Sequence, residues 1–207
     1  MAFASKLVLV SLLLVVFLMI NIKPSLSQST QQLIEKICRS TEDYGFCRRT
    51  FQAHLKSPNA NIVDLTQITL EVATDHATKT HEFIRQTLET TRDPALKNAL
   101  TECENAYGLI MHAFDLAVVS FFFGDYKNIE KEERITPRTE ASCEATLYTP
   151  PNKQKHILDE GSREMRIFIG MSLVSAQELV RSRLKPAPAP APAPLFVTPP
   201  SKASVFH

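Results

Sequence analysis

The sequence predicts an all-α protein: an up-and-down four-helix bundle preceded by an N-terminal α-helical hairpin and pinned by two disulfides. Three observations carry this expectation. Apolar residues recur at helical spacing through most of the stretch between residues 28 and 185. Four of the five prolines in that stretch sit where the apolar period breaks, so they punctuate helices. Strand signals are weak, with no sustained period-two alternation and no Asn-Gly or Asp-Gly turn.

The elements follow in order. Ser29-x-x-Gln32 reads as a capping-box start, with Leu33, Ile34, Ile37 and Cys38 on one face. A break over residues 40–43 precedes a second short helix with Tyr44, Cys47, Phe51 and Leu55 inward. After the Ser57-Pro58-Asn59 turn comes a long helix with Leu65, Ile68, Val72, Phe83, Ile84 and Leu88 on its apolar side. Asp93-Pro94 is an N-cap followed by proline at N1. The helix it opens runs through Leu96, Leu100, Cys103, Tyr107, Ile110, Phe114 and Phe121 to Gly124 at C′. Asp125 is expected to cap the next helix, which runs toward Leu147 and contains Pro137. An interior proline costs ~3 kcal/mol, so this helix should bend near Arg134 or begin anew after Pro137. Pro150-Pro151 closes it. The last helix, about 155–184, has a broad apolar face that includes Met165, Phe168, Ile169, Met171, Leu173 and Val180, and is expected to be central.

The two ends differ from this domain. Residues 7–20 form a nearly unbroken apolar run behind Lys6, followed by Ser25 and Ser27. Its 14 residues fall short of the ~20 that span a membrane. Residues 1–27 are therefore expected to be a signal peptide cut after Ser27, giving a secreted chain. Residues 28–185 then form one domain, and 186–207 an Ala-Pro-rich tail with the repeat Pro186–Pro194. That repeat is expected to be an extended, polyproline-like stalk, because every second residue lacks an N–H. It resembles the arabinogalactan-type glycomodules of plant secreted proteins.

Loss of residues 1–27 removes Lys6 and Lys23 and no acid, leaving 21 Lys+Arg against 22 Asp+Glu. Such a balance offers no footprint for nucleic acid or an anionic membrane. Cys38, Cys47, Cys103 and Cys143 all lie in the domain, and an even number in a secreted chain implies two bridges. Cys38 and Cys47 flank the hairpin break. Cys103 lies 21 residues before Gly124 and Cys143 lies 19 after it, at nearly the same height on antiparallel neighbours. Local pairing, Cys38 with Cys47 and Cys103 with Cys143, satisfies disulfide geometry best of the three possibilities.

Catalytic constellations are missing from the sequence. There is no G-x-S-x-G, H-E-x-x-H, P-loop or G-x-G-x-x-G, and only five glycines. His76 and His81 are five apart and face different ways, so they do not form a metal pair. Glu130 and Arg134 are placed for an i,i+4 ion pair on a solvated face. No catalytic residue, cofactor or metal site is expected. A secreted, disulfide-pinned bundle of this kind is expected to act by binding another protein.

Several motifs resemble the plant invertase/pectin methylesterase inhibitors. They are Leu33-Ile-Glu-Lys-Ile-Cys38 leading to Cys47, Asp93-Pro-Ala-Leu-Lys97 leading to Cys103-Glu-Asn-Ala-Tyr107, and Gly124-Asp-Tyr126 ahead of Cys143. The resemblance spans roughly residues 29–184. It implies the hairpin and bundle, the same two bridges, and a cofactor-free, reversible inhibitor of a cell-wall or vacuolar carbohydrate enzyme. Members that block invertase carry Pro-Lys-Phe after the Gly-Asp; here the tripeptide is Tyr126-Lys127-Asn128. Gly-Asp-Tyr is similar to the pectin methylesterase inhibitors, although the acids usual after the third cysteine are replaced by Gly108-Leu-Ile-Met-His112. The resemblance thus implies a pectin methylesterase inhibitor of the apoplast or cell wall, with Tyr126, Lys127 and Asn128 as partner-binding residues. The alternatives are an inhibitor of acid invertase or a non-inhibitory wall glycoprotein.

Overall fold

A computed structural model of the chain describes residues 27–149 and 157–184. The segments 1–27 and 186–207 singled out above lie outside the described residues, apart from Ser27, as do Pro150 and Pro151. Among the described residues the chain is helical without strands. The helices are α1 (Gln28–Cys38), α2 (Tyr44–His54), α3 (Ile62–Thr90), α4 (Pro94–Phe122), α5 (Tyr126–Glu133), α6 (Thr136–Tyr148) and α7 (Asp159–Leu184). The hairpin α1–α2 packs on α3 and α7, and α3, α4, α5–α6 and α7 form the bundle. Helix α4 packs on α3, α5 and α6, while α7 packs on α3, α5, α6 and the hairpin, so α4 and α7 occupy a diagonal.

Local chemistry sets most of the boundaries. Asp93 accepts from the Leu96 N–H at 2.7 Å, with Pro94 opening α4 as expected. Helix α3 begins with a reciprocal capping box that the sequence reading did not identify. Asn61 accepts from the Val63 and Asp64 N–H groups, and Asp64 accepts from the Asn61 N–H. In the uncut chain the cap of α1 is Ser27 rather than Ser29, its hydroxyl accepting from the Thr30 N–H at 3.2 Å; the expected cut after Ser27 would remove this cap. Asp125 stands at the N-cap of α5, but its side chain makes no capping bond, contrary to expectation.

The third bundle element is two helices. Helix α5 ends at Glu133, residues 134–135 turn, and α6 restarts at Thr136, so the interruption falls at Arg134, the first of the two places expected, and precedes Pro137. The proline ring clashes with the carbonyl four residues earlier, that of Glu133, and proline is tolerated only in a first turn. Stopping at Glu133 meets both conditions.

Both disulfides join the predicted pairs, Cys38–Cys47 with Cα atoms 5.5 Å apart and Cys103–Cys143 at 4.5 Å. The core they brace includes Tyr107, Phe51, Phe114, Ile37, Leu65 and Ile110, all fully buried. Phe83 is exposed, against expectation, because its neighbour Ile84 takes the inward position. Electrostatic clips fasten the hairpin to α7. Arg163 donates to Asp43 at 3.1 Å, and Arg166 joins Glu42 at 3.2 Å to Glu144 of α6 at 2.9 Å. His76 is likewise structural, its Nε2 2.8 Å from the Gly161 carbonyl and its ring against Phe168.

Candidate functional site

The α4–α5 corner carries the three residues that the sequence singles out. Helix α4 ends there in a Schellman motif. Gly124 adopts φ +73°, its N–H donates to the Phe121 carbonyl at 3.0 Å, and the Asp125 N–H donates to the Ser120 carbonyl at 2.9 Å. The tight reversal places Tyr126 immediately beneath α4.

Two of the three candidates are committed to the fold. Tyr126 is half-buried, its ring 6.0 Å from that of Phe121 and covered by the Arg183 guanidinium at 5.4 Å. Asn128 donates through Nδ2 to the Ser120 hydroxyl and to Glu132, both at 3.0 Å. Lys127 alone projects into solvent. Beside it stand two residues that the sequence reading passed over, Phe122 and Phe123, 71% and 85% exposed. Phe121-Phe122-Phe123 held the signal: successive helical residues turn by about 100°, so three in a row cannot all face one core. The corner therefore offers two aromatic rings and an ammonium group, a composition suited to a protein contact.

The acids of α5 and α6 behave differently from a solvated face. Glu130 accepts from Gln177 at 3.3 Å, and the expected Glu130–Arg134 bridge is not among the ion pairs of the described residues. Glu133 is fully buried and accepts from the Ser172 hydroxyl at 2.5 Å. Burial raises its carboxyl to about 8, against the lowering effect of that hydroxyl. Glu140 is also fully buried, and neither of its oxygens completes a hydrogen bond. Burial raises it to about 7, with the Ser162 hydroxyl and Arg166 pulling the other way. Both carboxyls are buried among the bundle helices, where their ionisation bears on stability. Among the described residues, no three His, Cys, Asp or Glu side chains are grouped to hold a metal ion.

A disulfide-braced helical bundle presenting a small aromatic and basic corner is a protein-binding module. Its relatives agree. The chain belongs to the plant invertase/pectin methylesterase inhibitor family, whose model matches residues 32–174, more than half of the chain. That membership places it among inhibitor proteins rather than enzymes. It is 24% identical over 153 residues to a pectinesterase inhibitor from Actinidia deliciosa, covering 73% of this chain and 82% of that one. It is 30% identical over 95 residues to the cell wall / vacuolar inhibitor of fructosidase 2 from Arabidopsis thaliana, covering 45% of this chain and 53% of that one. A putative invertase inhibitor from Platanus acerifolia is 25% identical over 133 residues, 64% of this chain and 72% of that one. The crystal structure of a mutant form of a pectin methylesterase inhibitor from Arabidopsis superposes with a TM-score of 0.62. At 19% identity over 70% of this chain and 95% of that chain, it shows a shared fold.

Proposed function

We propose that the chain is an exported inhibitor of pectin methylesterase, acting in the apoplast or cell wall by reversible one-to-one binding over the enzyme's substrate cleft. The observation that carries the choice of target is Asn128. Invertase-blocking members carry phenylalanine at this place, whereas here the side chain is polar and hydrogen-bonded to Ser120 and Glu132. The phenylalanine of Pro-Lys-Phe is therefore absent from Tyr126-Lys127-Asn128, and the overlapping Gly124-Asp-Tyr126 is similar to the pectin methylesterase inhibitors. Lys127, exposed like Phe122 and Phe123 at the α4–α5 corner, supplies the contact; Tyr126 and Asn128 hold the corner in shape.

Steady-state assays against a plant pectin methylesterase and a plant acid invertase, at mildly acidic pH, test this reading. The esterase is expected to be inhibited and the invertase unaffected. Inhibition of invertase alone would select the second reading, which the fructosidase inhibitor among the relatives favours. No effect on several enzymes of either kind would leave a non-inhibitory wall glycoprotein. Export rests on residues 1–27 and predicts a secreted chain starting at Gln28, which N-terminal sequencing of extracellular protein would read directly. The Pro186–Pro194 stalk is proposed to carry hydroxyproline-linked sugar in plant tissue, detectable as excess mass.

A further inference from the structure

The hairpin α1–α2 carries a groove between its two helices. Tyr44, Arg48 and Gln52 stand at four-residue intervals on one face of α2, and Gln31 and Glu35 stand four apart on α1 across from them. Buried Ile34 closes the floor between the two rows. The Cys38–Cys47 bridge joins the two walls, so the groove is formed before any ligand arrives. Its volume is about 80 Å³, too small to enclose a molecule, so a ligand would lie across it with part of its surface in water.

Every acid of the hairpin is already engaged. Glu35 pairs with Arg39, Glu42 with Arg166 and Asp43 with Arg163. Lys36 is engaged as well, by Glu178. Arg48, Arg49 and Lys56 are left exposed and without an ion pair among the described residues. Residues 28–56 thus carry five Lys+Arg against three acids, whereas the chain cut after Ser27 is nearly balanced. Of these cations Arg48 lies in the groove itself. Its guanidinium stands 5.8 Å from the centre of the Tyr44 ring, an attraction that orients it and leaves its N–H fork for an outside acceptor. Tyr44, expected inward from the sequence, is 39% exposed and offers a flat apolar face. Gln31 and Gln52 are exposed, and their amides, each both donor and acceptor, make no hydrogen bond among the described residues.

We infer that the hairpin groove binds an acidic polysaccharide, seating one hexuronate unit with a free carboxylate on Arg48, Tyr44, Gln31 and Gln52. The carboxylate takes the guanidinium fork in a bidentate pair. The C–H face of the sugar ring lies on Tyr44, and the ring hydroxyls, each both donor and acceptor, match the two amides. A neutral sugar would leave Arg48 unanswered, and an acidic peptide brings carboxylates without a ring face for Tyr44. Glu35 stays engaged by Arg39, which blunts its repulsion of an anion. Methyl esterification of the carboxyl removes the charge that Arg48 reads. One consequence rests on the inhibitor reading above: the groove would hold the chain on polymer that the esterase has already demethylated. The hairpin packs on α3 and α7, so the α4–α5 corner stays open to the enzyme meanwhile.

An NMR titration of the whole secreted chain, isotope-labelled, with unesterified oligogalacturonate tests the inference. Shift changes should centre on residues 31–35 and 44–52, with a dissociation constant on the order of 0.1–1 mM that rises as salt approaches ~0.15 M. The fully methyl-esterified oligomer should bind at least ~10-fold more weakly. Arg48→Gln and Tyr44→Ala should each weaken binding at least ~5-fold, while Tyr44→Phe, which keeps the ring, should bind as wild type. Arg92→Gln removes an exposed charge from the turn between α3 and α4 and should also bind as wild type. Arg48→Gln and Arg92→Gln should melt at the wild-type temperature, because both side chains face solvent. Absence of binding overturns the inference, as do shifts centred elsewhere on the molecule. Equal binding of the methyl ester or of poly-glutamate overturns it too, and an equal loss in Arg92→Gln would reduce the effect to net charge and overturn it. The titration requires no target enzyme, so this inference and the inhibitor reading can fail separately.

Discussion

The Ser172 hydroxyl donates a 2.5 Å hydrogen bond to the carboxyl of Glu133 at a depth where neither residue meets solvent. This single bond ties the end of α5 to the middle of α7. The second Glu133 oxygen has no partner, and Glu130 lies close enough to oppose ionisation. Glu140, one helix further on, faces Tyr107, Ser162 and Arg166, with Glu144 and Glu42 nearby. Both carboxyls are held neutral by burial, at about 8 and about 7.

Stability should therefore fall as pH rises. A carboxyl whose folded value is raised contributes fully below its unfolded value of 4.5, and that contribution is lost as pH passes up through the folded value. The relevant window runs from 4.5 to about 8. Thermal melts between pH 5 and pH 8 should show Tm dropping by on the order of 10 °C. Glu133→Gln with Glu140→Gln should remove most of that slope, since the amides do not ionise. An unchanged slope in the double variant would mean that other groups set it.

How much of this was legible beforehand depended on the range of the signal. Asp93-Pro94 and Gly124 are read within one turn of helix, and both act as expected. The bridges were also legible, because helix rise alone brings Cys103 level with Cys143. Phe83 and Phe122 were not, because adjacent apolar residues compete for one inward position and the sequence does not name the loser. Glu133 was hidden for a different reason. Acids on helices usually face water, and the group that accommodates this one, Ser172, is 39 residues away. Tyr126 and Asn128 were legible as the right corner but not as inward residues, which their contacts with Arg183 and Ser120 decide.

The two disulfides should differ in weight. On the chain-entropy model, the longer loop closed by Cys103–Cys143 contributes ~4 kcal/mol and the Cys38–Cys47 loop ~3 kcal/mol. Paired serine substitution at 103 and 143 should lower Tm more than at 38 and 47. Melting curves of the two double variants provide the comparison. A larger loss from the hairpin pair would show that α1–α2 docking, through Arg163 and Arg166, contributes more than loop closure does.

Pro137 sits in the first turn of α6, where its missing N–H has no intrahelical partner to lose. Pro137→Ala should therefore change stability by less than ~1 kcal/mol, well short of the ~3 kcal/mol tied to a helix-interior proline. Urea unfolding would resolve the two cases. A gain of several kcal/mol in the alanine variant would mean that a continuous helix is preferred and that proline forces the break.

The final prediction separates contact from scaffold at the α4–α5 corner. Lys127 is exposed and makes no hydrogen bond or ion pair among the described residues. Lys127→Ala should leave Tm unchanged and weaken inhibition of pectin methylesterase by roughly 10-fold, about 1.4 kcal/mol, as for one anchoring charge at an interface. Tyr126→Ala removes the ring that lies between Phe121 and Arg183. It should lower Tm by a few degrees, on the order of 1–2 kcal/mol, and weaken inhibition only through the loosened corner. Tyr126→Phe keeps the ring and should restore both, because the packing and the cation–π contact need the face and not the hydroxyl. Inhibition constants and melting temperatures of the three variants make the test. If Tyr126→Phe inhibits as poorly as Tyr126→Ala while melting like wild type, the hydroxyl itself touches the enzyme, and Tyr126 becomes a contact residue rather than a support.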